Sequence, residues 1–110
     1  MNEIVGLPSI VSTRLRIVID KAFRRIVGIS ENGSVQVLIC KNQLLVFPAH
    51  SPVPGSVRKE VSIGRFNLPV EWASTNHVEV GDRVQLFATK DYVIIKSAVK
   101  KFPCQIEQTE

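Results

Sequence analysis

Residues 16–49, RIVIDKAFRRIVGISENGSVQVLICKNQLLVFPA, and residues 65–98, RFNLPVEWASTNHVEVGDRVQLFATKDYVIIKSA, are two copies of one pattern. Laid over each other at a displacement of 49 positions, without a gap, they bring Arg16 onto Arg65, Ile19 onto Leu68, Phe23 onto Trp72 and Ile29 onto Val78. Val35-Gln36-Val37 meets Val84-Gln85-Leu86, Lys41-Asn42 meets Lys90-Asp91, Leu44-Leu45-Val46 meets Val93-Ile94-Ile95, and Ala49 meets Ala98. Identities are sparse, but apolar positions coincide along the register, and a shared pattern of burial is what a shared fold requires. The chain reads as two supersecondary units, 6–49 and 55–98, joined by His50-Ser51-Pro52-Val53-Pro54, whose two prolines forbid a continuous strand. The units form one domain, 1–98, with a tail, 99–110.

Each unit reads alike. Arg14, Arg16 and Val18 alternate with Leu15, Ile17 and Ile19, which predicts a strand with one basic and one apolar face. Asp20 is a suitable N-cap for a helix over 21–27 with Phe23, Ile26 and Val27 at core spacing, and Gly28 suits a left-handed C-terminal cap. A hairpin follows: Val35, Val37 and Ile39 are read as alternating with polar neighbours, Lys41-Asn42 turns the chain, and Leu44 to Phe47 return as a fully apolar strand. In the second unit the spacing predicts a strand over 62–68, Pro69 at the first helical position, Asn76 at the helix exit, and a hairpin of 83–88 and 92–96 around Lys90-Asp91. A unit of some forty residues exposes most of an apolar sheet face and several strand edges, so the two must share a core. The expected architecture is mainly β: a single-chain, pseudo-twofold barrel of interleaved halves with two short helices.

Composition narrows the function classes. Of 110 residues, 45% are hydrophobic and 22% charged, an ordinary globular balance that excludes disorder for most of the chain. No apolar run reaches the roughly 18–20 residues of a membrane span, and Met1 to Gly6 lacks the pattern of a secretory signal, so a cytoplasmic protein without membrane contact is expected. Cys40 and Cys104 are far apart and, like His50 and His77, have no partner at ligand spacing; no metal and no cofactor is expected. Paired carboxylates, triad spacing and a phosphate loop are all missing, which argues against an enzyme. Gly33-Ser34 and Gly55-Ser56 sit where turns want Gly and Ser, not at a self-cleavage site. Aromatic residues are only 6% and are not interleaved with cations, so a single-strand stacking platform is excluded, and Phe23 and Trp72 read as core anchors.

The run Arg16-Ile-Val-Ile-Asp-Lys-Ala-Phe-Arg-Arg-Ile-Val-Gly-Ile29 resembles the AbrB/SpoVT/MazE type of DNA-binding domain, whose signature is Gly-Arg, an apolar strand, Ile-Pro, a short helix with Arg-Arg, then Leu-Gly-Ile. Asp20 stands where Pro is usual. Gly55-Ser-Val-Arg-Lys59 resembles the family's first strand, Gly64-Arg65-Phe-Asn-Leu-Pro69 has its Gly-Arg and Leu-Pro, and Gly81-Asp82-Arg83-Val84 matches the start of its hairpin. The resemblance covers about residues 6–98 and implies a swapped-hairpin barrel binding duplex DNA through arginines on one face; the tandem arrangement looks like that of MraZ-type regulators. Carried over by position, it implies main contacts from Arg16, Arg24 and Arg25, phosphate contacts from Arg14 and Lys21, and a second-half contribution from Arg58, Lys59 and Arg65. Where the second half has Arg58 and Lys59 the first has Ser9 and Ile10, and where the first has Arg24 and Arg25 the second has Ala73 and Ser74. Neither half carries the full set, which implies divergent duties.

Charge supports that face. Residues 13–25 hold five cations against Asp20 alone, and their net of +4 equals that of the entire chain. A local basic patch neutralises phosphates and releases counterions, while Arg adds bidentate bonds to phosphate or guanine. The expectation is a nucleoid-associated, double-stranded DNA-binding transcriptional regulator that acts as a homo-oligomer, two or more barrels reading repeated half-sites. The alternative is an antitoxin-type or protein-interaction module with little DNA affinity, whose partner is a toxin or regulator. Ala73-Ser74-Thr75 and the tail residues Phe102 and Ile106 would suit that role, but the twelve residues after Ala98 are few and barely acidic for wrapping a toxin.

Overall fold

A computed structural model describes residues 4–97; the tail, with Phe102, Cys104 and Ile106, and the end of the second repeat at Ala98 lie outside the described residues. The first unit runs β1 (Ile4–Ile10), a 3-10 turn (Thr13–Leu15), β2 (Arg16–Val18), α1 (Lys21–Val27), β3 (Gly33–Cys40) and β4 (Gln43–Pro48). The second runs β5 (Val57–Val61), β6 (Arg65–Asn67), α2 (Val70–Thr75), β7 (Arg83–Ala88) and β8 (Val93–Ser97).

Local chemistry sets the helix ends. The Asp20 carboxylate accepts from the Ala22 N–H at 2.9 Å, and Gly28, at φ 90°, closes α1 with its N–H on the Arg24 carbonyl. Pro69 is the residue before α2 rather than its first residue, and Asn76 ends the helix. The strands preceding the helices are shorter than their alternation suggests. Arg14 and Leu15 adopt left-handed φ of 63° and 57°, and the chain folds back so that the Ser12 N–H reaches the Arg16 carbonyl at 2.8 Å. Ile63 and Gly64 repeat this at φ 52° and 73°, between Ser62 and Arg65. The in–out pattern persists through both turns, with Ile17 and Ile19 buried and Arg14 and Val18 exposed, which is why the sequence reads as one longer strand. Of the residues read from the sequence as facing the core, Ile26 on α1 and Ile39 at the end of β3 do not reach it and are exposed.

The pairing joins the units rather than closing each on itself. The large antiparallel sheet has the order β1-β7-β8-β4-β3-β5. Thus the first strand of each unit lies against the hairpin of the other, β1 on β7 and β5 on β3. The hairpins meet along β4 and β8, and β2 pairs with β6 as a separate two-stranded ribbon. In these last two ladders Leu45 faces Ile94 and Ile17 faces Phe66. Both pairs are 49 positions apart, so a pseudo-twofold axis passes through both. The sheet is open: β1 and β5 are its edges and do not pair with each other.

Before β2 and β6 the displacement changes by one. Pro8 and Ser9 oppose Gln85 and Val84, as Arg58 and Lys59 oppose Gln36 and Val35. The counterparts of Arg58 and Lys59 are therefore Pro8 and Ser9, not Ser9 and Ile10, because the first turn holds one more residue than the second.

The core between sheet, ribbon and helices is wholly apolar among the described residues, with Trp72, Phe23, Phe66, Ile17 and Leu44 its largest fully buried side chains. Ile17→Ala removes a side chain from the cross-unit seam and is expected to lower unfolding free energy by about 2–5 kcal/mol, whereas Ile39→Ala, at a position 37% exposed, should lower it by under about 1 kcal/mol; urea unfolding of both variants checks this.

Candidate nucleic-acid interface

In the ribbon, Arg16 pairs with Asn67, Ile17 with Phe66, and Val18 with Arg65. Because side chains alternate, Ile17 and Phe66 go to the core while Arg16, Val18, Arg65 and Asn67 share the outward face. Pairing continues past both strand ends, with the Ile19 N–H on the Gly64 carbonyl at 2.9 Å and the Leu68 N–H on the Leu15 carbonyl at 2.8 Å. These two bonds are repeats of each other. At one end stands Arg14, whose carbonyl accepts from the Asn67 amide at 2.6 Å, and at the other its counterpart Ile63, opposite Asp20. From the Leu15–Leu68 bond to the Ile19–Gly64 bond the ribbon runs four residue steps, about 13 Å at about 3.3 Å each, a length comparable with the roughly 12 Å width of a major groove.

The guanidinium groups on this face are free of internal carboxylates. Among the described residues the one close ion pair is Arg58 with Glu60, at 3.9 Å on the surface. Arg16 is half-buried, its Nε enclosed without a hydrogen-bond partner, while Arg14 and Arg65 are exposed. Lys21 and Arg25 are exposed on α1.

Arg24 is tied to the other unit. Its Nε donates to the Ile19 carbonyl at 3.0 Å, and its guanidinium lies over Gly64, where a Cβ would come within 3.1–3.3 Å of it. In the repeat, Arg24 corresponds to Ala73 and Gly64 to Leu15. A long side chain and a glycine in one half thus correspond to a short side chain and a leucine in the other. Ala73 is 2% exposed, so of the helix surface Ala73-Ser74-Thr75 only the last two residues face solvent.

The second-half cations on β5 lie elsewhere. Arg58 faces away from the core, beside Ser34, Gln36, Ala49, Pro52 and Ser56 around a groove of about 370 Å³, while Lys59 is half-buried on the core side of the strand. Gln36 holds the linker there: its amide donates to the carbonyls of Ala49 (3.1 Å) and Ser51, and its oxygen accepts from the Val53 N–H and the Ser56 hydroxyl, each at 3.2 Å. Arg65 alone of the three joins Arg14 and Arg16 on the ribbon. Sequence reasoning missed Asn67 on that face and Ile63 at its tip, although the 49-residue register makes them the counterparts of Val18 and Arg14. No group of three or more His, Cys, Asp or Glu able to hold a metal occurs among the described residues.

No family model matches the chain, and no curated protein matches it. It is similar to the solution structure of PHS018 from Pyrococcus horikoshii, with 15% identity, 96% of this chain and 100% of that chain covered, and a TM-score of 0.48. At that level of likeness neither a family nor an activity follows.

Gly64→Ala forces a Cβ into a left-handed position under the Arg24 guanidinium and is expected to cost about 1–2 kcal/mol. Arg24→Ala should cost about 1 kcal/mol by removing the bond to Ile19. In the double variant the crowding is gone, so the destabilisation should be smaller than the sum; strict additivity in denaturant unfolding would show that Arg24 does not rest on Gly64.

Proposed function

We propose that this protein binds duplex DNA by laying the β2–β6 ribbon in the major groove, and that it regulates transcription as an AbrB-like swapped-hairpin barrel in tandem, single-chain form. The observation that carries the reading is the pair Arg16 and Arg65, equivalent by the repeat, on the outward face of one cross-unit ribbon and without an acidic partner among the described residues. Two-stranded ribbons fit the major groove, and arginine there serves phosphates and guanine edges alike. The exchange of first strands between hairpins supports the swapped-hairpin type. Arg14, Lys21 and Arg25 flank the ribbon as phosphate contacts; Arg24 contributes chiefly by fixing the β5–β6 turn, and Arg58 and Lys59 stand apart from the DNA face.

A ribbon of three paired residues reads few base pairs, so specific binding requires two or more copies of the chain on repeated half-sites. Such a regulator acts at the nucleoid in the cytoplasm; no helix among the described residues is long and apolar enough to cross a membrane. Neither a cofactor nor an enzymatic step enters this reading.

Fluorescence anisotropy of a generic duplex at several salt concentrations tests it. The wild type should bind with a log–log salt slope of about −3 or steeper, and Arg16→Ala/Arg65→Ala should flatten it by about 2, one for each phosphate no longer neutralised. Arg58→Ala should leave the slope unchanged. Absence of binding at low salt would replace this reading by that of a protein-interaction module.

A further inference from the structure

We propose that Ile63 is an apolar base-reading contact that packs on thymine methyl groups in the major groove, an inference that rests on the duplex-DNA reading above. Ile63 sits at the tip of the β5–β6 turn with φ 52° and is 65% exposed. A β-branched side chain in the left-handed region is strained, and a two-residue turn of this kind favours Asn, Asp or Gly. Folding gains nothing from it: the side chain is not in the core, and only its backbone is held. The Ile63 N–H donates to the Asn32 side-chain oxygen at 3.0 Å, and the Gly64 N–H to the Glu31 carbonyl at 2.9 Å. The Ser62 N–H and carbonyl close the turn on Arg65 at 2.9 and 3.0 Å. A strained, exposed apolar residue presented so rigidly is what a contact surface requires.

Its surroundings name the contact. Ile63 lies two residues before Arg65, and Val18, across from Arg65, adds apolar surface 46% exposed on the same face. Asp20 opposes Ile63 across the ribbon, and its carboxylate, engaged with the Ala22 N–H, repels phosphates. The Ile63 tip is therefore suited to a base edge, while Lys21 and Arg25 on the neighbouring α1 remain exposed to the flanking backbone. The thymine C5 methyl is the apolar group that the major groove displays. At the opposite tip the equivalent residue is Arg14, so the two tip residues differ: a cation for phosphate or guanine at one, an apolar side chain for A·T pairs at the other.

The test compares wild type, Ile63→Asn and Ile63→Val on a short A·T-rich duplex and on the same duplex with deoxyuridine in place of thymidine, which deletes the methyl groups. Wild type should bind the uracil duplex roughly 3–5-fold more weakly, the equivalent of one apolar carbon contact. Ile63→Asn should bind both duplexes alike with the wild-type salt slope, Ile63→Val should retain part of the preference, and relief of strain should raise the Tm of Ile63→Asn by about 3–8 °C. The inference is overturned if Ile63→Asn keeps the thymine preference, loses about one unit of salt slope, or melts lower than wild type. It is also overturned if sedimentation shows a wild-type dimer that Ile63→Asn converts to monomer, which would assign the tip to self-association. Failure of wild type to bind either duplex at low salt defeats the DNA reading itself, whereas binding without methyl discrimination defeats only the role of Ile63.

Discussion

Burial of Ile17 against Phe66, one residue from each unit on the pseudo-twofold axis, is the contact on which the remaining architecture depends. It turns β2 and β6 into a ribbon whose inner face belongs to the common core. It thereby fixes which side chains look outward, because a strand has a period of two and a slip of one residue would turn either partner out of the core. The pairings of β1 with β7 and of β5 with β3 cross between the units in the same way. Neither unit owns a complete core.

Much of this architecture is legible in the repeat. Asp20, Gly28 and Asn76 mark the helix ends as their chemistry suggests, and the two Lys-Asn and Lys-Asp turns close the expected hairpins. The strands before the helices read too long because Arg14-Leu15 and Ile63-Gly64 keep the alternation of exposure while bending the chain through left-handed φ. A binary pattern records which side a residue faces, not whether the backbone stays extended. The one-residue difference between the two turns is likewise invisible in sequence, since Ser9 and Pro8 are equally plausible partners by polarity alone. Sheet closure is a matter of how the edges β1 and β5 meet, and local pattern carries no information on that.

The candidate face is legible in part. A net charge of +4 concentrated in residues 13–25 points to the ribbon, and Arg16 and Arg65 do lie on one surface. Composition cannot separate Arg24 from Arg25, neighbours in sequence with different surroundings: one lies over Gly64 of the other unit and the other is exposed. An arginine and a glycine in one half correspond to an alanine and a leucine in the other, a difference of size that makes the halves unequal. The same inequality reaches the outward face, where Arg14 and Ile63 occupy equivalent tips.

If the protein binds DNA as proposed, one surface contributed jointly by both units meets the duplex. Titration of a generic duplex into isotopically labelled protein, followed by backbone amide chemical shifts, tests this most directly. The largest shifts should fall together on residues 14–18 and 63–67, with saturation at one common concentration. Shifts confined to one unit, or centred on the groove around Gln36, Ser56 and Arg58, would contradict it.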